Sequence, residues 1–182
     1  MNVTHLSRAQ IALVLAGFAL AAFGTVVARV PVDATETVAT IGRHAPKFLL
    51  ETPNGDSLTL ADFARKPLVI NAFASWCPPC RRELPMLAAT ARRERKRVAF
   101  LGVDEQEATE IATTFARAMR LPFAIGLDRG QFAASYGATR LPETIFIDTY
   151  GTVRAIVHGA IDAPTLARDL ERIAPTAPGV RM

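Results

Sequence analysis

The chain has 182 residues, half of them hydrophobic, a formal net charge of +4 and two cysteines. That is room for one domain of ordinary size plus an extra segment, with enough apolar content for a core that needs no disulfide staples. The positive balance does not make a nucleic-acid footprint. Seven basic residues fall in two stretches, Arg81–Arg82 and then Arg92, Arg93, Arg95, Lys96 and Arg97, with no interleaved aromatics and no nucleic-acid motif. The second stretch falls where a helix should end, and cations there complement the dipole. A face toward anionic lipid is the alternative.

From the N-terminus, Ala9 to Ala28 carries no charge and is flanked by Arg8 and Arg29. About 20 apolar residues is the length that crosses a bilayer. The short flank with His5 and Arg8 favours retention of that end in the cytoplasm and export of the rest. Residues 1–29 are read as a transmembrane signal anchor; a signal peptide ending at Val26-Val27-Ala28 is the competing reading. Both place the remainder where disulfides persist. Residues 30–40, with Pro31, Asp33 and Glu36 and no apolar period, read as a linker. The folded domain is expected over 41–175, followed by a loose tail at 176–182.

Within the domain, Phe48 to Leu50 and Ser57 to Leu60 flank Asn54-Gly55, a hairpin signal. The apolar run Leu68 to Phe73 predicts a buried central strand. A helix is expected from just after Cys77 to about Arg95, and a second buried strand at Val98 to Val103. Ile111, Phe115 and Met119, spaced four apart, predict a helix over Glu105 to Arg120. A strand at Phe123 to Leu127, a short helix at Gln131 to Tyr136, and a hairpin of Glu143 to Asp148 with Val153 to His158 follow. Pro164 to Ile173 closes the domain as a helix, capped by Asp162. This order predicts an α/β fold with a mixed sheet whose edge is antiparallel.

Cys77 and Cys80 are separated only by Pro78 and Pro79. A disulfide closing so short a loop stabilises a fold least, so the pair suits chemistry better than stapling. With two cysteines, a structural zinc site would need histidines to complete it. Cys77 falls at a strand-to-helix junction, where free N–H groups and the positive end of the helix dipole lower a thiol pKa and create a nucleophile. Proline is tolerated in a first helical turn. Cys80 lies one turn on, placed to attack a mixed disulfide and release its substrate. Glu83, three residues further, shares that face or simply complements the helix start.

Trp76-Cys77-Pro78-Pro79-Cys80, Pro85, and Leu141-Pro142 before a strand resemble the thioredoxin superfamily, and more closely its membrane-anchored TlpA-like branch, which includes the cytochrome c maturation reductases. The resemblance spans about Ile41 to Ile173. It implies a thioredoxin-like mixed sheet flanked by helices, with an N-terminal β-hairpin extension. It also implies that Pro142 is a cis-proline facing the disulfide and that the Leu141 backbone pairs with an extended substrate. Trp76, Pro78 and Pro79 complete the substrate-facing set. Asn71 stands where thioredoxin has a buried acid, so Glu83, beneath the thiols with a raised pKa, would exchange a proton with Cys80. Arg81 and Arg82 are read as solvated surface or as contacts to a partner.

The first functional expectation is an exported reductase, tethered to a bacterial inner membrane and facing the periplasm. It would take electrons from a transmembrane dithiol carrier and reduce apocytochrome c, as Pro142-Glu143-Thr144 suggests, or other exported disulfides. No cofactor beyond the redox-active cysteine pair is expected. The second expectation is a disulfide-donating oxidase, whose family usually carries a motif histidine and a helical insertion that are not evident here. The third is a copper chaperone using Cys77, Cys80 and His158, set against His158 as a satisfied edge histidine. A thiol peroxidase is weaker, since no Pro-x-x-x-Thr-x-x-Cys arrangement surrounds Cys77.

Overall fold

The computed structural model describes residues 38–175. The expected anchor, all of the linker before residue 38, and the tail at 176–182 lie outside the described residues. Among the described residues no helix is long and apolar enough to cross a membrane.

The chain begins with a hairpin, β1 (Leu49–Glu51) and β2 (Ser57–Thr59), paired antiparallel. Gly55 adopts φ +86° in its loop, a conformation that favours glycine. After a short 3-10 turn at Leu60–Phe63, β3 (Leu68–Phe73) leads into α1 (Pro78–Glu94) and then β4 (Ala99–Glu105). Next come α2 (Thr109–Ala118), β5 (Ala124–Asp128), α3 (Gln131–Tyr136), β6 (Glu143–Ile147), β7 (Val153–His158) and α4 (Ala163–Ile173). The sheet order is β2-β1-β5-β4-β3-β6-β7. β3, β4 and β5 run parallel, as helical crossovers require, and the hairpins at both edges pair antiparallel. This is the expected thioredoxin-like mixed sheet with its N-terminal hairpin.

Strand alternation divides the interior into two cores. Val69, Phe73, Phe100 and Phe146 point toward α1, α2 and α4, where they meet Leu84, Leu87, Phe115, Leu166 and Leu170. Leu68, Ile70, Leu101, Val103, Ile145 and Ile147 face the other way, toward Phe48 and toward Phe132 and Tyr136 of α3. Ala39 packs on this second core, and its N–H donates to the Ser135 carbonyl at 2.9 Å. The last residues of the expected linker thus join the fold.

Two expectations need correction. β4 runs on to Glu105, and the helix expected from Glu105 begins only at Thr109. Ile111 is half exposed, while Ala112 and Phe115 carry the buried stripe of α2. The basic end of α1 is also more than solvated charge: Arg92 donates to the Arg120 carbonyl and Arg97 to the Ala174 carbonyl, tying three helix ends together. The Asp162 cap is as expected, its Oδ1 accepting the Thr165 N–H at 2.8 Å.

Candidate functional site

The site lies where β3 ends, between its parallel partner β4 and its antiparallel partner β6. Open α/β sheets form their crevices at such a change of direction, outside the carboxyl ends of the strands. Cys77 is the N-cap of α1, with Pro78 and Pro79 in the first turn where no N–H is missed. Cys77 and Cys80 form a disulfide, and the Cys80 N–H points at the Cys77 sulfur at 3.3 Å. Both cysteines are buried, whereas Trp76 is 66% exposed beside them. The Leu141–Pro142 peptide is cis.

On the α1 face of the sheet, Glu83 is buried with the cysteines. Its Oε1 accepts from Asn71 Nδ2 at 2.8 Å and its Oε2 accepts from the Ile161 N–H at 2.7 Å. Asn71 Nδ2 also donates to Thr144 Oγ1 at 3.0 Å. Burial raises the Glu83 pKa; the Ile161 and Asn71 hydrogen bonds oppose that rise without cancelling it. A carboxyl held above its ordinary range keeps its proton more readily than a free one and so suits proton exchange with a neighbouring thiol. Arg81 lies over the Phe115 ring at 5.6 Å and donates to the Ser75 carbonyl at 3.3 Å, so it braces the loop before Cys77.

A set of buried acids escaped the sequence reading. Glu107 holds Ser75 by both oxygens, accepting from its N–H and its hydroxyl at 2.6 Å each. Asp104 is fully buried, with neither oxygen in a well-formed hydrogen bond. Desolvation, then the neighbouring Glu107, push it up to about 7. Glu105 is directly opposite Asp128 in the β4–β5 register. Desolvation and that neighbour push Glu105 up to about 8, and its Oε1 has no partner. Asp128 accepts from the N–H groups of Phe132 and Ala133, which fixes α3. The available signal was Asp-Glu-x-Glu directly after an apolar strand run, which the helical reading of Glu105 onward absorbed.

His158 lies opposite Glu143, and its Nδ1 sits 2.6 Å from Glu143 Oε2. It is the satisfied edge histidine. With Cys77 and Cys80 joined as a disulfide, no three His, Cys, Asp or Glu side chains among the described residues form a group able to hold a metal.

The AhpC/TSA family model matches residues 41–156. The chain is 32% identical to the thiol-disulfide oxidoreductase ResA of Geobacillus kaustophilus over 142 residues, covering 77% of this chain and 82% of that protein. It is 34% identical to the thiol:disulfide interchange protein DsbE of Pseudomonas fluorescens biotype C, over 67% of this chain and 68% of that one. Among solved structures, DsbF of Mycobacterium tuberculosis, seen in mixed oxidised and reduced forms, superposes with a TM-score of 0.65. That match is 26% identical and covers 70% of this chain and 95% of the other. With this fold, and with a cysteine pair at the start of α1, the chain belongs to the AhpC/TSA family as a thiol–disulfide oxidoreductase of the ResA/DsbE type.

Proposed function

We propose that the chain is a dithiol reductase acting through Cys77 and Cys80 on disulfides of exported proteins, apocytochrome c among them. In this reading it is held at the bacterial inner membrane by residues 1–29 and recharged by a transmembrane dithiol carrier. The observation that carries it is the placement of the pair: Cys77 caps α1, Cys80 sits one turn deeper, and a buried Glu83 with a raised pKa lies three residues further along the same helix.

In the reduced protein the Cys77 thiolate, favoured by the helix N-terminus, attacks a substrate disulfide. One substrate sulfur bonds to Cys77 and the other leaves as a thiolate. Cys80 then gives up its proton, with Glu83 as the acceptor, and attacks the Cys77 sulfur. The second substrate sulfur leaves, and the Cys77–Cys80 disulfide remains. Two electrons have passed to the substrate. Trp76, Pro78, Pro79 and the backbone of Leu141, ahead of the cis Pro142, form the surface on which an extended substrate lies. The ResA and DsbE relatives support the chemistry, and the uncharged run from Ala9 to Ala28 supports the tether.

The direction of electron flow is tested by equilibrating the full chain with defined dithiol–disulfide buffers. A reduction potential near −270 mV is expected, the poise of a reductase. A value near −120 mV would mark a disulfide donor and overturn the proposal.

A further inference from the structure

Beside the cysteine pair, on the α3 face of the sheet, lies a cavity of about 600 Å³. Its walls include Trp76, Ala133, Ala134, Ala138 and Leu141, and Glu105 lines it as well. Trp76 and Leu141 are the chain neighbours of Cys77 and the cis Pro142, so the cavity adjoins the segments that carry the redox site. Glu105 shares the strand parity of Leu101 and Val103, which face α3. It is 6% exposed; its carboxyl lies within hydrogen-bond reach of Asp128, and its Oε1 is left without a partner. An unpartnered buried acceptor in the wall of an open cavity is a costly arrangement unless a ligand donor completes it. Glu143, of the same parity as Ile145 and Ile147 on that face, also has a buried, unpartnered Oε1. Asp128, Asp104 and Glu143 all lie near enough to Glu105 to bear on its charge. The alanines, Leu141 and the exposed indole offer apolar surface to a methylene stem, while Gln106, Thr139 and Glu105 supply the polar part of the wall for a positively charged end.

We infer that this cavity is a specificity subsite, with Glu105 receiving a lysine or arginine side chain that flanks the substrate cysteine. Glu105 accepts from the cation, and Trp76 and the three alanines cover its stem. This inference rests on the reading that the Cys77–Cys80 pair reduces protein disulfides.

The test uses the reduced full chain and short peptides, each carrying one cysteine as a disulfide with 2-mercaptoethanol. Lysine, norleucine or glutamate is placed in turn at the four positions nearest the cysteine. At pH 8 the second-order rate constant for one lysine peptide is expected to exceed that of its norleucine twin by about tenfold, the scale of one charge-assisted hydrogen bond. The glutamate peptide should be slower than both. In Glu105→Leu the lysine-to-norleucine ratio should fall below about twofold, and Glu105→Gln, which keeps one acceptor, should retain part of it. Ala134→Lys, at an exposed position of the wall, fills the subsite with the protein's own cation and should also abolish the preference. Equal rates for all three peptides in the unaltered protein would overturn the subsite and leave the reductase reading standing. If no peptide is reduced, and glutathione disulfide and insulin are untouched as well, the reductase reading itself fails.

Discussion

At the scale of single residues, the chemistry turns on what Glu83 faces. Its two oxygens accept one N–H from the Asn71 side chain and one from the Ile161 backbone, while burial raises its pKa. An aspartate at position 71 would put a second carboxyl against the first. The amide instead donates to Glu83 and to Thr144, so one acid remains free to titrate. Glu83→Gln removes the proton acceptor and keeps the shape. Release of substrate from the Cys77 mixed disulfide is expected to slow by about 100-fold, while the initial attack by Cys77 changes only a few-fold. Rapid-mixing kinetics that follow the two steps separately decide this. The Cys80 thiol should also ionise at lower pH in the variant, because a nearby negative charge is gone. Unchanged titration and unchanged resolution would remove Glu83 from the mechanism. Residues 71, 77, 80 and 83 were all legible, because they lie within one strand-turn-helix whose spacing fixes their faces. Their partners Thr144 and Ile161 were not, since they arrive from β6 and from the loop before α4.

At the scale of elements, the carboxyl end of β4 was the least legible part of the fold. Asp104, Glu105 and Glu107 look like the charged first turn of a helix, and Ile111, Phe115 and Met119 supply a helical period behind them. The strand prevails because Phe100, Leu101 and Val103 are locked between β3 and β5, and the register carries pairing on through Glu105. The result is buried carboxyls at the rim of the redox site, which costs stability when they ionise. Asp104 is raised from 3.8 to about 7, chiefly by desolvation. The folded state therefore holds a proton that the unfolded chain has already lost between those two values, and stability falls as pH rises through that window. Asp104→Asn keeps a neutral, isosteric group there. It should leave stability at pH 4 nearly unchanged and raise it by about 2–4 kcal/mol at pH 8.5. Urea unfolding at the two pH values measures this. A gain of equal size at both would show that the effect is not the ionisation of Asp104.

At the scale of the whole molecule, the architecture was readable because the sheet strands are apolar runs whose connections leave few topologies. The substrate subsite was not, since Trp76, Glu105, α3 and Leu141 meet only once four segments have converged. That convergence depends on β3, which sends Val69 and Phe73 into one core and Leu68, Ile70 and Ala72 into the other. The two cores share a backbone and a hydrogen-bonded sheet, so neither can open while the other stays intact. Leu87, in the α1 core, and Ile145, in the α3 core, are both fully buried. Leu87→Ala and Ile145→Ala should each cost about 2–5 kcal/mol. Both should shift the urea midpoint without changing the slope, in one transition seen alike by Trp76 fluorescence and far-ultraviolet circular dichroism. Trp76 reports from the redox site and the circular dichroism from the whole sheet. Two separated transitions in either variant would mean that the cores unfold independently, and that the geometry around the cysteines does not depend on the far face of the sheet.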